Sequence, residues 1–182
     1  MQWYNEPPHW TDENGVLTVT TGAKTDFWRI THYDFIRDDG HFYHQPIQGD
    51  FTYTVQFSGQ YRDLYDQAGI MLRIDHENWI KCGVEYVEGV QQASVVVTRG
   101  VSDWSVIPLP QNPPTFWLKI KRERDAVEVF YSLDGEKYTM IRLAYFPPNV
   151  VAQVGVMCCS PQGEGFTVTF EQMQLNRNAS AG

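Results

Sequence analysis

The sequence predicts an all-β protein, a two-sheet antiparallel β-sandwich folded as a single domain. Three observations lead to this prediction. Apolar and polar residues alternate with a period of two along most of the 182 residues, and helical periodicity is nearly absent. Aromatic residues make up 14% of the chain, which favours strands. Clusters of Gly, Pro, Asn and Asp separate the alternating runs at the spacing of a sandwich or jelly roll.

The alternating runs predict about twelve short strands. In chain order these are Val16–Thr20, Phe27–Thr31, Phe51–Ser58, Ala68–Asp75, Trp79–Tyr86, Ala93–Arg99, Trp104–Leu109, Phe116–Arg122, Ala126–Ser132, Thr139–Leu143, Val151–Cys159 and Phe166–Leu175. No internal repeat or long linker divides the chain. We therefore expect one sandwich domain over residues 1–175 and a disordered tail over residues 176–182.

Composition and charge exclude several classes of partner. The formal net charge of −8 disfavours nucleic acid, because a phosphate backbone is repelled by an acidic surface. No apolar run approaches the length of a membrane helix, and the N-terminus lacks the features of a secretory signal. Three cysteines, two of them adjacent, do not form a disulfide framework. We expect a cytoplasmic protein that binds neither nucleic acid nor membrane and, without a Gly-rich phosphate loop, carries no cofactor.

Strand alternation predicts which side chains share a face in the middle of the chain. The runs around Leu72, Cys82 and Val95 each present one apolar and one polar face. The turn Asp75–Asn78 makes the first two runs hairpin neighbours, so their polar faces coincide. The polar outward face then contains Gln67, Gly69, Met71, Arg73, Trp79, Lys81, Gly83, Glu85, Ser94, Val96 and Thr98. By the same rule Cys158 points into the core and Cys159 to the opposite face.

This outward face has the chemistry of a saccharide-binding surface. A Trp ring such as Trp79 stacks on the C–H face of a sugar ring, and polar side chains hydrogen-bond its hydroxyls. Gly83 would leave room for a ring to approach the sheet. The predicted polar contacts are Gln67, Arg73, Lys81, Glu85 and Thr98. The alternative is an ordinary solvent-facing sheet surface, on which mixed charges are common.

Two further regions contribute candidate ligand contacts. Trp104, in Ser102-Asp103-Trp104-Ser105, either caps a groove or anchors its loop. The loop from Trp28 to His44 is rich in polar aromatic residues and is predicted to form one wall of the site, with Trp28, His32 and His44 as contacts. Three His residues in this loop raise the possibility of a metal site, but their spacing fits no closed zinc pattern, and we predict no metal.

An enzyme on the same face is the first alternative function. Sandwich glucanases of the retaining type carry Glu-x-Asp-x-Glu on one strand, and that triplet is missing here. Glu85 is the candidate acid or base if the protein is a saccharide hydrolase or lyase, with Lys81 setting its pKa. No other catalytic residue is predicted.

Four motifs resemble a known family. They are Asp66-Gln67-Ala68-Gly69, Trp79 to Glu85, Ser94 to Thr98, and Ser102 to Ser105, and Val154 to Pro161 continues the pattern. These segments are similar to domain-of-unknown-function family 1349, which has a fungal relative named as a regulation-of-enolase protein. The family is placed in the concanavalin A-like lectin/glucanase superfamily.

The resemblance covers about Trp10 to Leu175 and implies a jelly roll with a concave sheet. It implies little about activity, because the superfamily includes both lectins and enzymes. The leading hypothesis is a carbohydrate-binding or carbohydrate-sensing module whose partner is a small saccharide or glycan. A domain that docks on a metabolic enzyme is the second alternative.

Overall fold

The computed structural model describes residues 1–177, and every regular element in that range is a β-strand. The sixteen strands are β1 (Gln2–Tyr4), β2 (His9–Glu13), β3 (Val16–Thr20), β4 (Phe27–Arg29), β5 (Ile36–Asp38), β6 (His41–Ile47), β7 (Phe51–Gly59), β8 (Gln67–Arg73), β9 (Asn78–Val87), β10 (Val90–Arg99), β11 (Val101–Leu109), β12 (Phe116–Glu123), β13 (Ala126–Ser132), β14 (Thr139–Tyr145), β15 (Ala152–Cys159) and β16 (Thr167–Arg177).

Fourteen of these strands form two seven-stranded antiparallel sheets. The front sheet has the order β1-β6-β15-β8-β9-β10-β11, and the back sheet has the order β14-β13-β12-β7-β16-β3-β2. The remaining two strands, β4 and β5, pair only with each other. We call this hairpin, with its connecting residues 30–35, the ribbon. The predicted single-domain antiparallel sandwich is therefore confirmed.

The main core lies between the two sheets. It is built from alternate residues of the strands, such as Ile70 and Leu72 of β8 facing Phe57 and Leu118 of the back sheet. Burying one face of each sheet removes apolar surface from water, which is the main favourable contribution to folding. Cys82 and Cys158 also belong to this core, whereas Cys159 lies on the other face of the front sheet, as alternation predicts.

All twelve predicted runs overlap strands, and four strands were not predicted. These are β1, β2, β5 and β6. The most consequential is β6, an inner strand of the front sheet between β1 and β15. Its residues were expected in a loop, because His41, His44 and Pro46 resemble loop sequence more than a strand. Pro46 is tolerated because it lies one residue from the end of the strand, opposite Gln153.

The chain termini bear on the predicted domain limits. β16 extends to Arg177, so Asn176 and Arg177, which were placed in the tail, are part of the back sheet. The rest of the predicted disordered tail, residues 178–182, lies outside the described residues. Within residues 1–177 the chain has no helix that is long and apolar enough to cross a membrane.

Candidate functional site

The outer face of the front sheet contains the side chains that alternation grouped together. Gln67 lies opposite Glu85, Met71 opposite Lys81, and Arg73 opposite Trp79. Ser94, Val96 and Thr98 of β10 continue the same rows. The shared face is thus confirmed by the strand register.

This face is covered rather than open to solvent. The ribbon packs across it and forms a second, smaller core, which consists of Phe27, Trp28, Phe42, Met71, Trp79, Val96, Met157 and Cys159. The open ligand-binding face that the sequence predicts is therefore wrong for these rows, and so is the alternative of an ordinary solvent-facing sheet surface. Alternation identifies the residues that share a face, but it carries no information about a segment that folds over that face from elsewhere in the chain.

Trp79 and Thr98 belong to this covered region. Trp79 is 1% exposed and packs edge-to-face against Phe27, with ring centroids 6.3 Å apart. The Thr98 hydroxyl is 2.8 Å from the Ser102 hydroxyl and is also buried. Neither side chain can contact a ligand in this arrangement, so their prediction as saccharide contacts is not supported by the geometry.

Arg73 holds the ribbon instead of a ligand. Its two terminal nitrogens donate to the two carboxylate oxygens of Asp38 in β5, at 2.8 and 3.0 Å. The guanidinium carbon also lies 4.5 Å from the ring centroid of Tyr4, whose hydroxyl donates to Asp38 at 2.6 Å. Bidentate pairing of this kind fixes both partners in orientation.

Arg29 of β4 makes a second attachment that was not predicted. Its Nη2 donates to Glu77 Oε1 and its Nε to the carbonyl oxygen of Gly100, each at 2.9 Å. The backbone N–H of Arg29 donates to the Ser102 hydroxyl at 2.9 Å. These bonds tie β4 to the loops at one end of β8 to β11.

Lys81 makes the third attachment and also borders an open pocket. Its Nζ donates to Asp26 Oδ1 at 3.2 Å and to the Phe27 carbonyl oxygen at 2.7 Å. Burial lowers the pKa of Lys81, but the nearby carboxylates, Asp26 foremost, outweigh burial and leave the pKa above its ordinary value. Lys81 therefore stays charged, and an ammonium group has a third proton to donate.

A pocket remains between the ribbon and the front sheet, which we call the collar pocket. Its cavity volume is about 100 Å³, and it opens to solvent at its mouth. Five aromatic side chains, the aromatic collar, form its walls: Trp28, Tyr33, Phe35, Tyr65 and Trp104. The polar lining consists of Asp26, Arg37, Gln67, Lys81, Glu85 and Gln162, with Pro161 completing the wall.

The aromatic collar is a connected structure. The hydroxyls of Tyr33 and Tyr65 lie 2.9 Å apart, which joins the ribbon to the β7–β8 loop. Tyr33 packs against Trp28 and Phe35, and Tyr65 packs edge-to-face against Trp104. The hydrogen bond to Tyr33, together with burial, raises the pKa of Tyr65 to about 12, so the Tyr65 hydroxyl stays protonated near neutral pH.

Backbone strain accumulates around the collar. Ile30, His32 and Asp34 of the ribbon all have positive φ, between 55° and 68°, and Tyr65 has φ of 69°. This region of φ is costly for residues other than Gly, and most costly for β-branched and bulky ones. Strained backbone of this kind is found preferentially at ligand clamps and switch regions, which makes the collar a strong functional candidate.

Glu85 lies at the floor of the collar pocket in a short chain of hydrogen bonds. Trp104 Nε1 donates to the Ser94 hydroxyl at 2.9 Å, and that hydroxyl donates to Glu85 Oε2 at 2.8 Å. Burial raises the pKa of Glu85, and the nearby charge of Lys81 counteracts part of this increase. A carboxylate accepts about four hydrogen bonds, so Glu85 keeps capacity for a ligand.

Gln67 completes the polar floor from the strand next to Glu85. Its amide nitrogen donates to the Tyr65 carbonyl oxygen at 3.1 Å, which orients the side chain and leaves the amide oxygen able to accept. A recess below the floor, lined by Gln67, Lys81, Gly83, Glu85 and other residues, has a volume of only about 10 Å³. A Cβ atom at Gly83 would collide with the Ala68 carbonyl oxygen, so this glycine allows the close approach of β8 and β9, and the prediction that it leaves room for a sugar ring is wrong.

The two predicted His contacts lie outside the collar pocket. His44 is buried in β6, where it stacks on Phe42 at 4.8 Å, and its Nδ1 has no hydrogen-bond partner within the described residues. His32 is exposed near the tip of the ribbon against Tyr33. Within residues 1–177 no three His, Cys, Asp or Glu side chains come close enough together to hold a metal ion.

The collar pocket contains five of the ten predicted ligand contacts, which are Trp28, Gln67, Lys81, Glu85 and Trp104. Sequence reasoning missed Asp26, Tyr33, Phe35 and Tyr65. The density of aromatic residues between Phe27 and Phe35 was a usable signal for the ribbon. No sequence signal places Tyr65 beside Tyr33, because their contact depends on how the ribbon folds over the sheet.

Comparisons with known proteins agree with this architecture. Residues 3–178 match the family described as Protein of unknown function (DUF1349). A relative from Saccharomyces cerevisiae named Regulation of enolase protein 1 is 42% identical over 173 residues, which cover 95% of this chain and 87% of the relative. The crystal structure of a functionally unknown protein from the same organism superposes with a TM-score of 0.93 at 40% identity, covering 98% of this chain and 97% of that one.

More distant structures share the fold. The carbohydrate-binding module CBM66 from Bacillus subtilis has a TM-score of 0.59 at 13% identity and covers 96% of this chain and 94% of that one. The GH43 protein BlXynB from Bacillus licheniformis has a TM-score of 0.70 at 17% identity and covers 95% of this chain but 36% of the longer enzyme. At this level of identity the likeness establishes the sandwich fold and no more.

Proposed function

This chain belongs to the DUF1349 family, and from the chemistry of its collar pocket we propose that it is a saccharide-binding module. The ligand is a small neutral saccharide, bound between the ribbon and the front sheet. The collar pocket replaces the open sheet face that the sequence predicts as the binding surface.

The observation that carries this proposal is an aromatic collar above a polar floor. Trp and Tyr rings pack against the C–H faces of a sugar ring, and floor groups on Gln67, Lys81 and Glu85 pair with its hydroxyls. The Lys81–Asp26 pair is internally neutral, and Arg37 is paired with Asp39, so the pocket has no surplus of positive charge to attract an anion. These features favour a neutral, polyhydroxylated ring.

The fold comparisons support the same class of ligand. One neighbour is titled a carbohydrate-binding module and another a GH43 protein, and both carry this sandwich. We infer the saccharide from the pocket's chemistry, since fold alone does not determine function.

A direct test measures binding of neutral mono- and disaccharides by saturation-transfer NMR and calorimetry. The variant Glu85→Gln should weaken binding by about tenfold, because it replaces a charge-assisted hydrogen bond. Glu123→Gln, at an exposed position on β12, is the matched control and should bind as the parent does. A panel without any binder, or equal binding by Glu85→Gln and the parent, contradicts the proposal.

Catalysis in the same pocket is a second candidate function. It is favoured by the presence of two carboxyl groups in the pocket lining, Asp26 and Glu85, the latter with a raised pKa. Burial that raises the pKa of a carboxyl group moves it towards the range of a general acid. Turnover of aryl glycosides that is lost in Glu85→Gln and retained in Glu123→Gln would support this candidate, and absence of turnover across the panel would exclude these substrates.

Regulation of a metabolic enzyme is a third candidate. It is favoured by the 42% identical relative whose name refers to enolase regulation. This candidate also requires the cytoplasmic location that the sequence predicts. Sedimentation of the purified chain with purified enolase tests it, and a complex of fixed stoichiometry, with altered enolase turnover, is the supporting result.

A further inference from the structure

The ribbon packs across the outer face of the front sheet, and the collar pocket lies beside it. Arg73, Lys81 and Arg29 attach it at three points along its length. The rows beneath it, which contain Met71, Trp79 and Val96, are fully buried. Within residues 1–177, these rows therefore leave no open groove in which an extended chain could lie.

The rim of the collar pocket is built from three segments that hydrogen-bond to one another. The ribbon contacts the β7–β8 loop through the hydroxyls of Tyr33 and Tyr65. The β7–β8 loop contacts the β15–β16 loop through the Ser160 hydroxyl, which donates to Asp66 Oδ1 at 2.6 Å. Two hydrogen bonds join Ser160 to Thr25, which precedes the ribbon. The Ser160 N–H donates to the Thr25 hydroxyl at 3.1 Å, and the Thr25 N–H donates to the Ser160 carbonyl oxygen at 3.2 Å.

These contacts join three segments that each contribute to the pocket lining: the ribbon through Tyr33, the β7–β8 loop through Tyr65, and the β15–β16 loop through Pro161. Asp66 and Ser160 are fully buried, and the second oxygen of Asp66 accepts from the backbone N–H groups of Arg62 and Asp63, at 2.9 Å each. Trp104 of β11 also lines the pocket, and its Nε1 is connected to Glu85 through the Ser94 hydroxyl. An internal unit of a saccharide needs an exit at both of its linkages, whereas a terminal unit needs only one.

We propose that the collar pocket binds the terminal ring of a saccharide and excludes internal units of a chain. The inference rests on the saccharide-binding function proposed above. The terminal ring lies on the floor formed by Gln67, Lys81 and Glu85, and the rest of the chain leaves through the mouth into solvent.

The test compares ligands that differ only in length and in the presence of ends. Glucose, maltose and maltotetraose form one series, with cyclomaltohexaose as a ligand without ends, and xylose to xylotetraose form a second. In a series that binds, we expect the Kd per molecule to stay within about twofold from one to four units, because added units gain no contacts. The cyclic ligand should not bind.

The outcomes separate the two proposals. A Kd that improves by about tenfold or more with length, or binding of cyclomaltohexaose, overturns the end-specific site and leaves saccharide binding intact. If no member of either series binds to the folded protein, the saccharide function itself fails for these sugars, and this inference fails with it.

A rim variant provides a second readout. Tyr33→Ala opens the contact between the ribbon and the β7–β8 loop at a half-exposed position, so it should fold. We expect the preference for tetrasaccharide over monosaccharide to rise by about threefold or more, since the opened rim admits a second unit. Tyr145→Ala, on the edge strand β14, is the control. An unchanged preference in Tyr33→Ala contradicts the role of the rim.

Discussion

His41 shows how a single buried side chain can make the fold sensitive to acid. Its Nε2 accepts a hydrogen bond from the Gly22 N–H at 2.9 Å, so the ring proton resides on Nδ1, which donates to the Asn5 carbonyl oxygen at 2.7 Å. A second proton, on Nε2, would break the hydrogen bond from the Gly22 N–H. Burial of the ring also disfavours the charged form and lowers the pKa of His41 below its ordinary value of 6.5.

The sign of the pH dependence follows from this shift. Below pH 6.5 the unfolded chain binds more protons at His41 than the folded chain, so stability decreases as the pH falls. We expect the free energy of unfolding to change less between pH 7 and pH 5 in His41→Gln than in the parent, measured by urea denaturation. His76→Gln, at an exposed position, should keep the parent's slope. Identical slopes for His41→Gln and the parent would contradict the prediction.

Glu85 is expected to contribute to ligand binding while lowering the free energy of unfolding at neutral pH. Its folded pKa is raised above 4.5, so the stabilisation by its protonated form is complete below pH 4.5 and is lost as the pH rises through the folded pKa. Glu85→Gln should therefore increase the free energy of unfolding at pH 7 by about 1 kcal/mol. The gain should disappear at pH 4. A destabilised Glu85→Gln at pH 7 would indicate that its negative charge is required by Lys81.

At the scale of elements, the ribbon depends on buried charges for its position. Arg73→Met removes the partner of Asp38 and leaves a partly buried carboxylate unpaired, which should cost about 2–3 kcal/mol. Hydrogen exchange should accelerate at ribbon amides such as that of Ile30, which bonds to the Phe35 carbonyl oxygen. Lys121→Met, which breaks an exposed ion pair, should cost about 0.5 kcal/mol or less. Equal costs for the two variants would show that the Arg73 pair does not hold the ribbon.

The elements that alternation could predict are the long strands with one face in the main core. β8, β9 and β10 alternate regularly, so their shared outer face followed from sequence. The aromatic segment that forms the ribbon was visible in the sequence, but its position over the sheet could not be predicted, because its attachments join residues far apart in the chain, such as Arg73 with Asp38 and Lys81 with Asp26. For the same reason, the floor of the collar pocket was predicted from sequence, whereas most of its aromatic collar was not.

At the scale of the whole molecule, the back sheet is completed by the end of the described chain. β16 lies between β7 and β3, so the sheet lacks a central strand until residues 167–177 are in place. A variant that ends at Phe166 should show no cooperative unfolding transition, whereas one that begins at Asn5, without the edge strand β1, should retain it. Calorimetry distinguishes the two. Cooperative unfolding of the first variant would contradict the central role of β16.

Cys158 and Cys159 point to opposite faces of the front sheet, so each thiol reports on the opening of a different part of the molecule. Burial raises the pKa of both thiols, so neither reacts with a labelling reagent while the fold is closed. Cys159 lies under the ribbon and Cys158 between the sheets. A thiol reagent should therefore label Cys159 whenever the ribbon lifts and Cys158 only when the sandwich itself unfolds. The ratio of the two labelling rates would measure how independently the cover of the collar pocket moves.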